Sequence, residues 1–249
     1  MTQITSQIPV IVEHKSSITW LRLNRPDRLN AVNAAVIEGL IGGLIAARDR
    51  GSNLVVFAGE GRAFSAGFDL SGLDQQSDAD LLYRFVRVEQ LLRMIYQLPM
   101  TSVALVQGRC FGAAADIVAS CRKRIATPDA SFRMPGLQFG IVLGTRRLAH
   151  LIGADAAFDL LETSRIFTAG DALETGFLTD IQPAEDWASH IDKLAIDAGN
   201  LGYDAKTALL SATRDDRGLD HDLATLVRSA AKPGLADRIR AFVATQVKK

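Results

Sequence analysis

The segment Arg109–Ser120, RCFGAAADIVAS, sets one carboxylate, Asp116, in a run otherwise dominated by glycine, alanine and branched apolar residues. An acid in such surroundings is either satisfied by nearby donors or kept for proton transfer, because burial disfavours its charged form and lifts its pKa toward the useful range. From the residues alone both readings stay open. If a helix starts near Gly112, the Ala113 N–H lies in its first turn, lacks an intrahelical acceptor and sits at the positive end of the helix dipole. A second glycine-rich stretch, GEGRAFSAGFDLSGL from Gly59 to Leu73, follows a buried strand and would expose further backbone N–H groups there. Two such N–H groups gripping one carbonyl oxygen would stabilise an enolate-like transition state by roughly 3 kcal/mol per donor. The plain alternative for this stretch is a connecting loop.

Other chemistries find less support. Ser65 in FSAGF does not stand in a G-x-S-x-G elbow and reads as a loop hydroxyl. His14, His150, His190 and His221 lack metal-ligand spacing, so no metal is expected. GEGRAF lacks the last glycine of a dinucleotide fingerprint and the lysine of a Walker loop, so no nucleotide cofactor is expected. Cys110 and Cys121 form neither a CxxC pair nor a disulfide framework and read as buried structural thiols.

The elements that must position Asp116 follow from the hydropathy pattern. Val10–Glu13 and Ile18–Leu23 read as strands of a hairpin around HKSS. Val36, Ile37, Leu40, Ile41, Leu44 and Ile45 recur at helical spacing despite three interspersed glycines. LVVFAG from Leu54 and TSVALVQG from Thr101 are apolar runs expected of strands buried on both faces. Between them Leu81–Leu98 is amphipathic, preceded by Asp78 and Asp80 and closed by Pro99. A helix on GAAADIVASC, a short strand at Arg124–Ala126 and helices from Gly153 onward complete a body in which strands alternate with helices. That alternation predicts a parallel sheet covered by helices. From Glu185 to Lys249 the pattern is helical, which places a boundary near Gln182–Glu185.

At 249 residues and 48% hydrophobic content the chain can bury a sizeable core. Lys plus Arg equals Asp plus Glu at 28 each, so no electrostatic footprint for nucleic acid or an anionic membrane is present. No run reaches the roughly 20 apolar residues of a membrane span, and the first residues lack a secretory pattern. A small-molecule ligand and a reducing cytoplasm are the expectations.

Four segments in order, LNRPDRLNAV, GRAFSAGFDL, VQGRCFGAAADIVASC and RIATPDASFRMPGLQFGIVLGTRRL, resemble the enoyl-CoA hydratase/isomerase family of the crotonase superfamily, from about Ile18 to Ile181. The resemblance implies an α/β crotonase (ClpP-like) spiral of ββα units. It implies a core at 1–184, a helical C-terminal trimerisation region at 185–249, and a homotrimer or hexamer. It also implies an acyl-CoA thioester ligand, with coenzyme A part of the substrate rather than a separate cofactor, and a place in fatty acid metabolism. The oxyanion hole carries over to the N–H groups of Phe68 and Ala113, and the first catalytic acid to Asp116, one methylene shorter than glutamate. Arg28, Ala66, Gly67, Asp69, Gly112 and Gly136 carry over to the substrate and coenzyme A surface.

The sequence also departs from the family pattern. Where hydratases carry a second glutamate after proline, this chain has Gly136. The loop FGIVLGTRRL is about three residues shorter than usual, and the acid of some dienoyl-CoA isomerases is replaced by Gly144. Cys121–Arg122 stands for a usual Cys–Asp pair, and the C-terminus is short beyond AFVATQVKK. A single acid/base at Asp116 is therefore expected to favour double-bond isomerisation or atypical hydration. The alternatives are a crotonase-type decarboxylase or C–C hydrolase, a helper role for Arg133, Gln138, Tyr83 or Arg87, and a non-catalytic acyl-CoA binder.

Overall fold

The computed structural model describes residues 8–214 and 217–247. Lys248 and Lys249, the end of the expected short C-terminus, lie outside the described residues. Strands β1 (Val10–Lys15) and β2 (Ile18–Leu23) form the expected hairpin, paired from Val10↔Leu23 to Lys15↔Ile18. Beyond β2 come β3 (Leu54–Gly59), β4 (Thr101–Val106), β6 (Lys123–Ala126) and β9 (Asp180–Ile181), all parallel, in the order β1-β2-β3-β4-β6-β9. Parallel neighbours need crossovers. Helices α1 (Ala34–Asp49), α2 (Asp78–Tyr96) and α3 (Ala113–Ser120) supply the first three.

Each crossover is punctuated by its own residues. Asn33 caps α1 by accepting from the Val36 N–H, and Ser77 with Asp80 forms a reciprocal capping box on α2. The glycines of α1 have different reasons. A Cβ on Gly43 would stand 2.3 Å from Leu21 Cδ2 and one on Gly39 2.9 Å from Val10 Cγ2, so both let the helix lie close on the hairpin; Gly42 faces open space. All eight residues of α3 are buried, which its small alanines permit at the centre of the main core.

A second sheet of three short strands, β5 (Arg109–Phe111), β7 (Ser131–Arg133) and β8 (Phe167–Thr168), escapes the sequence reading because each strand is too short to show a period. Its apolar side is held by the Phe132, Phe167 and Phe177 rings, whose centroids lie 5.2–5.4 Å apart. Helix α4 (Thr145–Ile152) begins before the expected helical stretch, and α5 (Ala154–Thr163) and α6 (Ala169–Glu174) follow.

After β9 no strand recurs among the described residues. Helices α7 (Trp187–Gly199), α8 (Tyr203–Thr213), α9 (Leu219–Ala230) and α10 (Leu235–Val247) complete the chain. Of these, α7, α9 and α10 share the core with the sheet and α2, whereas α8 buries no residue. Ile191 and Ala198 of α7 pack with Ile18, Leu54, Val56 and Val103 against the sheet. Leu226 of α9 and Ile239 of α10 pack with Leu81 and Phe85 of α2. Asp78 fastens α10 by accepting from the N–H groups of Gly234, Leu235 and Ala236 at 2.8, 3.1 and 2.8 Å.

Candidate active site

The two glycine-rich stretches meet at the carboxyl ends of β3 and β4. Ser65 N–H donates to Arg109 O and Phe111 N–H to Ser65 O, both at 3.1 Å, so the loop after β3 is bridged to β5 at Ser65. Gly67, at φ +88°, passes so close that a Cβ there would lie 2.2 Å from Phe111 O and 3.4 Å from Ala113 N. Only glycine accepts both that φ and that approach. The contact brings residue 68 beside residue 113. Neither the Phe68 nor the Ala113 N–H has a hydrogen-bond acceptor among the described residues.

Asn30 and Ser65 hold this loop. Asn30, in the left-handed region at φ 54°, donates from Nδ2 to Glu60 O and Ala63 O and accepts from the Arg25 N–H. Ser65 Oγ donates to Asn30 O and accepts from the Gly67 N–H. Ser65 is thus structural, as its loop reading implied. Asn30 was not singled out from the sequence, although asparagine's tolerance of positive φ was the available signal.

Asp116 lies in the first turn of α3, 5% exposed, and lines a cavity of about 290 Å³ together with Phe68 and Ala113. Its Oδ1 is buried and has no hydrogen-bond partner. The reading in which nearby donors satisfy this acid therefore fails at that oxygen. Burial pushes its pKa well above the usual carboxylate range, Arg147 pulls it down and Glu89 pushes it up again. Gly144, the residue before α4, makes room for it: a Cβ there would stand 2.0 Å from Oδ1.

The rest of the wall is mostly apolar. Phe68 stacks on Phe85 with centroids 4.2 Å apart, and Phe139 and Phe242 meet at 5.1 Å. Such a lining with few convergent polar groups is the usual make-up of a small-molecule site. Ala66, Gly112 and Gly136 lie on the wall, as does Arg133, whose guanidinium donates to Ser164 O and Gln246 Oε1. On that wall, position 136 offers only backbone.

Other expected positions lie elsewhere. Arg28 is exposed on the turn Pro26–Arg28, off the cavity wall. Asp69 is also off the wall. Burial would raise its pKa, but hydrogen bonds from Ser71 and from Arg25, at 2.8 Å, hold it below the usual range. Tyr83 is exposed and Arg87 pairs with Glu38 at the surface, so neither approaches Asp116.

Behind Asp116 lies a charge cluster that the sequence reading missed. Arg147, 1% exposed, binds both carboxylate oxygens of buried Glu89 through Nη1 and Nη2. Its Nη2 is also 3.7 Å from Asp222, which Arg146 engages with two bonds of 2.9 and 2.8 Å.

Comparison with known proteins places this geometry in context. Residues 13–216 match the family model described as Enoyl-CoA hydratase/isomerase. A solved structure described as an enoyl-CoA hydratase/isomerase from Bordetella parapertussis is 44% identical, with a TM-score of 0.94 over 96% of this chain and 99% of that one. A Mycobacterium tuberculosis protein named as a probable enoyl-CoA hydratase is 32% identical over 190 residues, 74% of this chain and 76% of its own length. A Bos taurus protein named ethylmalonyl-CoA decarboxylase is 30% identical over 182 residues, 70% of this chain and 58% of its own length.

Proposed function

The chain belongs to the enoyl-CoA hydratase/isomerase family, and from that premise we propose that it moves a proton between carbons of an enoyl-CoA thioester, with Asp116 as the one acid/base. The observation that carries this reading is Asp116, its buried Oδ1 unpartnered, lining one cavity with Phe68, Ala113 and a Gly136 that supplies no second carboxylate. The thioester oxygen accepts from the Phe68 and Ala113 N–H groups, so negative charge that develops on it is held by preorganised donors. The Asp116 carboxylate takes a proton from one carbon, the electron pair spreads into a dienolate, and the same proton returns to the other carbon. One positioned carboxylate suffices because the proton taken is the proton given.

Loss of CO2 from a carboxylated acyl-CoA is the second reading, supported by the burial that raises the Asp116 pKa and so favours its protonated form. Departure of CO2 leaves its electron pair on the enolate and needs no base. A protonated Asp116 would then quench the enolate. The name of the bovine relative supports keeping it.

We read the assembly as a homotrimer or hexamer built on the helical region 185–249. Exposed Ile196, Tyr203 and Leu209 on α7 and α8 support it. The cytoplasm is the proposed location, supported by the free, buried Cys110 and Cys121.

The test is a panel of enoyl-CoA and carboxyacyl-CoA thioesters, with products analysed by mass and double-bond position. An unchanged mass with a moved double bond is expected, and Asp116→Asn should lower that rate at least a hundredfold. Added water would point to hydration, lost CO2 to the second reading, and binding without turnover to a non-catalytic acyl-CoA binder. An Asp116→Asn protein as active as the parent would refute the role of Asp116.

A further inference from the structure

Two features of the buried charge cluster conflict with a simple structural staple. A guanidinium close to a buried acid ordinarily captures it as a bidentate ion pair. Here Arg147 acts electrostatically on Asp116, one turn along α4 from the Gly144 notch that receives the Asp116 carboxyl, yet Asp116 Oδ1 has no partner. The guanidinium is already engaged: Glu89 takes both Nη1 and Nη2, and Asp222 stands on the far side of Nη2.

We propose that Glu89 and Asp222 are positioning residues that hold and neutralise Arg147, so that it cannot pair with Asp116 and leaves that carboxyl free to exchange a proton with substrate. The proposal deepens the reading of Asp116 as the acid/base and rests on it for its functional meaning. Among the described residues, the charges that act on Asp116 are Arg147 from α4 and Glu89 from α2, and Asp116 acts in turn on the Cys110 thiol of β5. Cys110 is fully buried and its pKa is pushed well up by burial, so it stays neutral across the working range. The balance at Asp116 therefore lies between one cation and the carboxylate that occupies it. Asp222, on α9, feeds into that balance from the C-terminal helices, anchored by Arg146.

The sign of the effect follows from the charges. Glu89→Gln keeps the volume and one acceptor for Arg147 but removes the neutralising charge. The unbalanced guanidinium then favours ionised Asp116, as an opposite charge at close range does. Asp222→Asn weakens the outer support only, and should act in the same direction by less.

The experiment is a titration of the ligand-free full chain carrying 13C-labelled aspartate carboxyls, with the Asp116 signal assigned by its loss in Asp116→Asn. Glu89→Gln should lower the Asp116 midpoint by about one pH unit or more, whereas Glu89→Asp, which restores the charge, should return it most of the way. If Glu89→Gln does not fold, Asp222→Asn is read instead and should give a smaller fall. A midpoint unmoved in Glu89→Gln, or in Asp222→Asn where that is the variant read, overturns the proposal. A merely structural pair would lower thermal stability without moving the midpoint. Turnover of the enoyl-CoA panel is measured in parallel. A wild-type protein inert toward every thioester, with the midpoint still moved by Glu89→Gln, refutes the catalytic reading while supporting the electrostatic one.

Discussion

Replacing Gly144 by alanine tests how closely the placement of Asp116 is controlled. The new Cβ would stand 2.0 Å from Oδ1, 2.7 Å from Cγ and 3.3 Å from Cβ of Asp116, whereas ordinary contact begins at 3.4 Å. Relieving the worst contact by moving the carboxylate alone requires a retreat of about 1.4 Å, the difference of those two distances. A misplacement of about 1 Å in a catalytic group can cost about a hundredfold in rate. The backbone adds a second cost: Gly144 has φ +66°, where a residue with a Cβ loses about 1–2 kcal/mol. For a chain of this size that lowers the melting temperature by a few degrees. Gly42→Ala is the matched control, because it adds the same methyl group where nothing lies within 4 Å and removes a glycine from a helix. It should gain up to about 1 kcal/mol and leave turnover alone. The assay is turnover of the best thioester substrate, measured beside thermal unfolding. A Gly144→Ala protein that keeps half or more of the parental rate would refute the idea that this notch sets the position of Asp116.

The remaining expectations concern a helix anchor, the vacant acid position and the two thiols. Asp78 is held below the usual carboxylate range first by the Ala236 N–H and then by those of Leu235 and Gly234. A lowered folded pKa means that its stabilisation is present above the unfolded value and is lost as pH falls through the folded one. Asp78→Asn should thus melt below the parent at neutral pH, with the gap closing on acidification below the ordinary value of 3.8, as melting curves against pH would reveal. Gly136→Glu should raise water addition to enoyl-CoA about tenfold or more by supplying the missing carboxylate. Its Cβ would be 3.2 Å from Ile141 O, a contact that a small shift relieves. Cys110 and Cys121 are fully buried, and burial pushes the Cys121 thiol up to about 12. Iodoacetamide should label neither in the native protein at mildly alkaline pH and both after unfolding in urea, as counted by mass.

What was legible in the sequence was local. Asp116 stood out because its neighbours are apolar, and the N–H-bearing stretches around Phe68 and Ala113 because glycine clusters after apolar runs. The large sheet was readable for the same reason, since LVVFA and SVALV are long enough to declare themselves. What stayed hidden depends on residues far apart in the chain. Arg147 and Glu89 are 58 positions apart, and Asp78 meets α10 from more than 150 residues away. No spacing rule links such partners. Asp69 shows the reverse case, a conspicuous acid in a stretch expected to bind ligand, whose carboxylate the structure commits to Arg25 and Ser71. The short strands β5, β7 and β8 formed because the main-chain groups of their neighbours were available, which composition does not record.

The complete burial of α3 bears on how a scaffold of this kind can change its chemistry over generations. All eight of its residues are buried, so enlarging those that do not line the cavity invites overpacking, typically about 1–3 kcal/mol. Inheritance can therefore tinker little with the helix that carries Asp116. Variation is cheaper on the cavity rim, where Leu137, Arg133 and Gln246 retain solvent contact. Descendants would keep the buried acid and the two N–H groups beside it and diverge in the shape of the cavity.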